Sequence, residues 1–252
     1  MQNFLPILQL PEETEPQSAP RDKLGGLPWG LRSDMWPVCT QCGGSQSLLA
    51  QFVHDPVRLD LGRPGRMLNV FQCNHDPGMC ENWEGGAGGN ACFVVEPEDL
   101  LRGLSEQPGD DPEIEFEATI AEWETQEDGI SPEDAQLFFP APDHNSNHNP
   151  TSRSITDFDP TTSTRLGGVP FWMQSPREAP QGGWTFVGQL DNTVSFRRAP
   201  TVDHPEVERD RSRWEGRTHT ARGPNFGDNG VGYIFLKHGG SLPQGWFFWQ
   251  CA

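Results

Sequence analysis

The chain has 252 residues, of which 34% are hydrophobic, so its length fits one large domain or two closely packed ones. Its formal net charge of −18 and pI near 4.6 argue against nucleic acids and anionic membranes as partners, because both reward Lys and Arg. A basic protein would be attracted to such a chain, although solubility alone also explains the charge.

Residues 1–10 are mildly apolar but contain no basic residue and no clear cleavage site, so they do not form a secretory signal. No stretch approaches the roughly 18 apolar residues that a membrane span needs. We therefore expect a cytoplasmic protein. In that compartment the six cysteines are more often reduced thiols or metal ligands than disulfides.

Three short blocks occur twice along the chain in the same order, which predicts an internal duplication. They are Leu-Gly-Gly-Leu-Pro-Trp (24–29) and Leu-Gly-Gly-Val-Pro-Phe (166–171), Leu-Leu-Ala-Gln-Phe (48–52) and Phe-Val-Gly-Gln-Leu (186–190), and Met-Leu-Asn-Val-Phe-Gln (67–72) and Gly-Tyr-Ile-Phe-Leu (232–236). The glycine blocks suit tight turns, and the apolar blocks suit buried strands. We expect Gln51 and Gln189 to satisfy backbone groups between strands rather than to act in catalysis.

Four cysteines have a spacing typical of a structural zinc site. Cys39 and Cys42 form a C-x2-C pair followed by two glycines, and after an interval of thirty residues Cys73 and Cys80 form a looser C-x6-C pair. The two-residue gap lets both thiolates face one ion, and the second pair completes a tetrahedron. We therefore predict a closed zinc site on these four residues, with no open position for a substrate.

Alternatives to this site stay open. Cys39 and Cys42 could be a thioredoxin-like redox pair, although two glycines follow them where that motif opens a helix. The thiols could also be unrelated, and His75 could replace Cys73 or Cys80 as a ligand. The two remaining cysteines, Cys92 and Cys251, stand apart and are expected to be buried thiols.

A strongly acidic stretch separates the two repeats. Residues 96–134 contain fifteen carboxylates and a single basic residue, Arg102. Within residues 113–120, polar residues, mainly glutamates, alternate with apolar ones, which predicts a strand with one buried face and an outward row of acids.

Short helices and long loops are predicted around this strand. The helices are expected at residues 97–104 and 131–138, the second with Ser131 as its N-cap. Residues 140–164 and 202–222 are polar and lack periodicity, which favours loops.

These features divide the chain into three parts. Residues 1–138 form the first repeat, with the four-cysteine site and the acidic stretch, residues 139–165 form a polar linker loop, and residues 166–252 form the second repeat. Gly-Asp-Asn-Gly at residues 227–230 has too few spaced oxygens for a calcium loop, and we predict a tight turn there.

Several of these motifs resemble the YwqG-like family of uncharacterised, mainly bacterial proteins. They are the repeated Leu-Gly-Gly-x-Pro-aromatic block, the Gln-containing strand, Phe-Gly-Asp-Asn-Gly-Val-Gly-Tyr-Ile-Phe at 226–235 and the closing Phe-Phe-Trp-Gln-Cys at 247–251. The resemblance extends from residue 24 to residue 252 outside the two polar loops. It implies a duplicated, mixed-sheet, β-rich fold.

The first half also resembles the programmed-cell-death-2 family of eukaryotic ribosome-assembly factors. Pro-Val-Cys-Thr-Gln-Cys-Gly at 37–43, Leu-Asn-Val-Phe-Gln-Cys at 68–73 and the acidic residues 112–116 carry this resemblance. Members act as chaperones of a basic ribosomal protein, whose charge an acidic surface can shield. This chain lacks that family's cysteine-rich C-terminal half, so the resemblance implies a fold and not a particular client.

Together these observations predict a β-rich α+β fold of two related mixed-sheet halves packed as one unit. They predict a zinc-containing binding protein, not an enzyme, that engages a basic protein partner as a chaperone or an immunity protein would. Two alternatives stay open, a zinc-thiolate redox sensor and an enzyme with a cleft between the repeats. The tryptophans that could line such a cleft are Trp29, Trp36, Trp172, Trp184, Trp246 and Trp249.

Overall fold

The computed structural model describes residues 1–76, 78–139, 163–176, 179–209 and 219–252. The strands in these ranges are β1 (Gln2–Gln9), β2 (Lys23–Leu24), β3 (Ser47–Val53), β4 (Met67–Gln72), β5 (Asn90–Val95), β6 (Ala118–Glu127), β7 (Arg165–Gly167), β8 (Thr185–Asp191), β9 (Thr193–Phe196), β10 (Glu208–Arg209), β11 (His219–Arg222), β12 (Val231–Lys237) and β13 (Gln244–Gln250). The helical elements of the same ranges are one short α-helix, α1 (Pro132–Ala135), and 3-10 turns at Pro11–Glu13, Ser33–Met35, Pro97–Asp99 and Gln136–Phe138.

Ten strands form one closed barrel in the order β1-β6-β2-β3-β4-β5-β13-β12-β8-β7, and β10-β11-β9 form a small separate sheet. Every strand pair in the described ranges is antiparallel. The prediction of an α+β fold with two mixed-sheet halves is therefore wrong. Pairing of β1 with β7 and of β5 with β13 joins strands from both parts of the chain into one sheet, and the helices of the described residues are too short to form a layer.

The two Gly-Gly blocks occupy matching places in this barrel. Strand β2 pairs with β6 and β3, and β7 pairs with β1 and β8. Beside each block a buried cation donates to a carbonyl four residues ahead, Lys23 to Leu27 and Arg165 to Val169. Strand β1 therefore pairs with β7 in the same way that β6 pairs with β2, although β1 comes first in the sequence.

Many strands bury side chains on both faces, which explains their continuous apolar runs. In β12, Ile234 and Leu236 face the main core inside the barrel, whereas Tyr233 and Phe235 belong to a second, aromatic cluster with Trp172. A third cluster packs around Trp36, Leu48 and Phe71 on the other half of the barrel. Loops therefore cover much of the outer surface of the barrel.

The acidic stretch differs from its predicted structure. Strand β6 begins only at Ala118 and continues to Glu127, so the alternating residues 113–117 lie before it. Ile114 is exposed, and Glu115 is half-buried with its carbonyl accepting the Gly26 N–H at 3.0 Å. The alternating pattern predicted a strand incorrectly here, because loop contacts rather than strand pairing hold residues 113–117 in place.

The helix predictions are confirmed in part. The Ser131 hydroxyl accepts the Asp134 N–H at 3.1 Å and caps α1, as expected, whereas residues 97–104 contain only the 3-10 turn Pro97–Asp99. The predicted loop 202–222 includes β10 and β11. Nearly all of the predicted loop 140–164 lies outside the described residues. Across the described ranges, no helix has the length and apolarity needed to cross a membrane.

Candidate metal centre

Four cysteine sulfurs come together just beyond the end of β4. The sulfurs of Cys39, Cys42, Cys73 and Cys80 all lie within 4.8 Å of one another, and the Cys42 and Cys73 sulfurs are 3.6 Å apart. Tetrahedral thiolates at about 2.3 Å from a zinc ion would stand about 3.8 Å apart. The arrangement therefore suits a single metal ion on four sulfurs.

A tight turn positions the first pair. The Cys39 N–H donates to the Gly44 carbonyl at 2.8 Å, and the Gly43 N–H donates to the Cys39 carbonyl at 2.9 Å. The Gly44 N–H then points at the Cys42 sulfur, 3.4 Å away. Glycine allows the backbone to approach so closely, which is why the C-x2-C-Gly-Gly sequence folds into this turn.

The second pair depends on a loop that folds back on β4. Cys73 directly follows this strand, and its N–H donates to the Gly89 carbonyl at 2.8 Å. A turn brings Cys80 back to Cys73, and in this turn the Cys80 N–H donates to the Asp76 carbonyl at 3.2 Å. The buried amide of Asn82 donates to the Cys73 carbonyl at 2.7 Å and ties both ends of the loop together.

Burial and mutual contact shape the acidity of these thiols. Cys39, Cys73 and Cys80 are buried, whereas Cys42 is exposed. Burial raises the pKa of Cys73 to about 11 and that of Cys80 still higher, and the neighbouring thiols add to the rise. For Cys39, burial is outweighed by hydrogen bonds from the backbone of Cys42 and residue 41, which lower its pKa. A bound cation would favour all four thiolates together, because metal ligation replaces their protons.

The other predicted ligands and thiols lie elsewhere. His75 is exposed, and the group of clustered ligands in the described ranges consists of cysteines alone. Cys92 and Cys251 stand outside the group, as expected, but as whole residues they are half-buried rather than buried as predicted. Burial of the Cys92 sulfur raises the pKa of its thiol.

The acidic strip, defined as residues 98–114, packs beside the cysteine turn. The Asp110 carboxylate accepts the Ser45 N–H at 2.6 Å, and just beyond the strip the Glu115 carboxylate accepts from the Asn74 amide at 2.6 Å. Ser45 and Asn74 each lie within a few residues of a cysteine of the group. The acidic strip and Glu115 therefore contact the segments that carry the cysteines.

Of the six tryptophans proposed to line a cleft, Trp29, Trp36 and Trp172 are buried in the core. Trp184 is partly buried and packs against Trp246, with 5.6 Å between the ring centroids, but does not line a cleft. Trp246 and Trp249 do line a cleft, together with Trp83, which the sequence did not single out. Trp83 stands in a glycine-rich loop without periodicity, so no sequence pattern marked it.

A comparison of the chain with family models gives no match, and a comparison with curated proteins gives none either. The two family resemblances therefore stay predictions from the motifs that carry them.

Proposed function

We propose that the protein is a cytoplasmic zinc-containing binding protein whose acidic strip receives a basic, partly apolar segment of a partner protein. The observation that carries this proposal is the mixed surface of the strip. Leu101, Leu104 and Ile114 are exposed by 59%, 47% and 40%, between exposed carboxylates. A segment with alternating basic and apolar side chains would complement both features.

Most carboxylates of the strip are available to a partner. Within the described part of the chain, Asp99, Glu106, Asp111 and Glu113 form no ion pair with Lys, Arg or His. Glu98, in contrast, pairs with Arg63. The acids on β6 differ, because two of them are paired with arginines at 3.1 Å. The negative charge of the strip is therefore less neutralised than that of the strand that follows it.

The strip is also held in place along its length. The Leu101 N–H donates to the Gly30 carbonyl at 2.8 Å, the Ser105 N–H donates to the Pro28 carbonyl at 2.9 Å, and Asp110 binds the cysteine turn. A surface ordered in advance loses less conformational entropy on binding. In this proposal the zinc ion has a structural role, because it holds the turn against which the strip packs.

The test is binding of a defined peptide in which arginines alternate with leucines, measured by fluorescence anisotropy at low and high salt. Replacing Glu106, Asp111 and Glu113 by Gln, Asn and Gln should weaken binding by about tenfold or more at low salt. A peptide with citrulline in place of arginine has the same shape without the charge and should bind much more weakly.

The matched control removes three charges from β6, as Glu122→Gln, Glu124→Gln and Glu127→Gln together. It changes the net charge by the same amount and should alter binding by less than about twofold. Equal losses in the two triple variants would show that net charge alone attracts the peptide. Equal binding of the citrulline peptide would show that charge has no part in it, and either result would refute the proposal.

A further inference from the structure

A cleft of about 660 Å³ lies between the loop that follows Cys80 and the last barrel strand, β13. Four aromatic side chains dominate its lining, Trp83 from the loop and Trp246, Phe248 and Trp249 from the strand. This volume is within the range of small-molecule sites, which combine apolar walls with a few polar groups.

The walls of the cleft are fixed to each other. The backbone N–H of Trp249 donates to the Trp83 carbonyl at 3.1 Å. The two indole rings meet edge to face, with 6.4 Å between their centroids. A Cβ added at Gly85 would lie 2.2 Å from Trp246 Nε1, so the loop backbone packs directly on that ring. On the opposite side, Gln250 accepts the Gln174 N–H at 3.0 Å. The cleft is thus formed before any ligand arrives.

The polar groups of the cleft favour a cation. Glu84 contributes an exposed carboxylate to the lining of the cleft. Among the described residues, no Lys, Arg or His forms an ion pair with Glu84. Among the residues that the structure describes, no lysine or arginine belongs to the lining. Aromatic rings attract cations through their faces, and the attraction is greatest for cations that shed water easily, such as quaternary ammonium groups.

We propose that this cleft binds a small quaternary ammonium compound such as choline. The trimethylammonium group lies among the aromatic rings with Glu84 balancing its charge. This site is separate from the acidic strip, so the proposal does not depend on the proposed peptide binding.

The experiment is calorimetric titration of the full chain with choline and with its carbon isostere, in which a tert-butyl group replaces the trimethylammonium group. We expect choline to bind and the neutral isostere to bind at least about tenfold more weakly. Comparable binding of the two would overturn the proposal, because it would leave only an apolar site. Failure of choline to bind would overturn it as well.

Two variants locate the site. Trp83→Leu should weaken choline binding by about tenfold, and Glu84→Gln by about threefold, because each removes one part of the cation site. Both side chains are exposed, so the fold should be preserved, and a thermal melt checks this. The matched control, Glu15→Gln, removes an exposed carboxylate far along the sequence and should leave binding unchanged.

A trimethyllysine peptide tests the other source of the same cation. If it bound more than tenfold tighter than choline, the ligand would be a modified protein rather than a small molecule, and the proposal would be wrong. Weaker binding of the peptide than of choline supports the proposal, as does an unchanged choline affinity in the acidic-strip triple variant.

Discussion

Gln51 and Gln189 make the same pair of hydrogen bonds in the two parts of the barrel. The side-chain oxygen of Gln51 accepts the Trp29 N–H at 2.7 Å, and that of Gln189 accepts the Phe171 N–H at 3.0 Å. Each amide nitrogen donates to a backbone carbonyl that precedes the glycine block, at 2.8 Å and 3.2 Å. Both side chains are fully buried, so each one satisfies backbone groups that no strand reaches.

Replacing either glutamine by leucine should therefore destabilise the fold. Gln51→Leu and Gln189→Leu each remove two hydrogen bonds to backbone groups, and we expect each to lower the free energy of unfolding by about 2–4 kcal/mol. Urea denaturation measures the change. The control is Gln126→Leu on the exposed part of β6, with an expected change within about 0.5 kcal/mol. Losses below about 1 kcal/mol at both buried sites would contradict this role.

The metal centre predicts a definite metal content. Native mass spectrometry of the purified protein should show about one zinc ion per chain, and Cys73→Ser or Cys80→Ser should abolish it. Because a closed site supplies folding energy, these variants should also melt at lower temperature. Cys251→Ser, outside the group, should keep both the zinc and the melting temperature. A wild-type protein free of metal would contradict the site.

Glu115 predicts a loss of stability as the pH rises. Burial raises the pKa of its carboxyl to about 7, Asn74 opposes the rise, and the charge of Glu113 adds to it. Because the folded pKa exceeds the unfolded one, the contribution of Glu115 is complete below about pH 4.5 and is lost as the pH rises to about 7.

The variant Glu115→Gln keeps an oxygen for the Asn74 amide and removes the titration. Relative to Glu115→Gln, the free energy of unfolding of the wild type should fall by up to about 3 kcal/mol between pH 4.5 and pH 8. Denaturant titrations at a series of pH values measure this difference. Glu113→Gln, at an exposed carboxylate, is the control and should keep most of the pH dependence. Parallel pH profiles of the wild type and Glu115→Gln would refute the assignment.

Gly25 should not tolerate a side chain. Its φ of +58° is unfavourable for other residues, and an added Cβ would lie 2.2 Å from the Phe116 carbonyl oxygen. We expect Gly25→Ala to cost more than about 3 kcal/mol of unfolding free energy, because strain and a backbone clash add. Gly182, with φ of +85° and open space around its Cβ, is the matched control. Gly182→Ala should cost about 1 kcal/mol, and an equal loss at both positions would show that φ alone matters.

The local features of this protein could be predicted from its sequence, and the closure of its sheet could not. The cysteine cluster, the Ser131 cap and the role of Gln51 depend on short spacings or on the chemistry of one side chain. The barrel depends on pairings between strands far apart in the sequence, among them β1 with β6, β1 with β7 and β5 with β13. Hydrophobic periodicity shows which face of a strand is buried but does not show which strand lies beside it.

The misplacement of β6 has a similar cause. Residues 113–117 alternate as a strand would, yet the barrel takes its pairing from Ala118 onward. The first three residues of β6 are buried and the other seven are exposed or half-buried, so the strand itself shows no alternation. The aromatic cleft was missed in part because Trp83 and Trp249 meet only after the loop beyond Cys80 has folded onto β13.

The place of β1 between β6 and β7 has a consequence for synthesis. This strand ends at Gln9, whereas its two neighbours begin at Ala118 and Arg165. A growing chain therefore contains an apolar strand whose partners are made only much later. We expect the barrel to close in a single late event, and the delay exposes β1 to wrong partners on other chains for as long as translation continues.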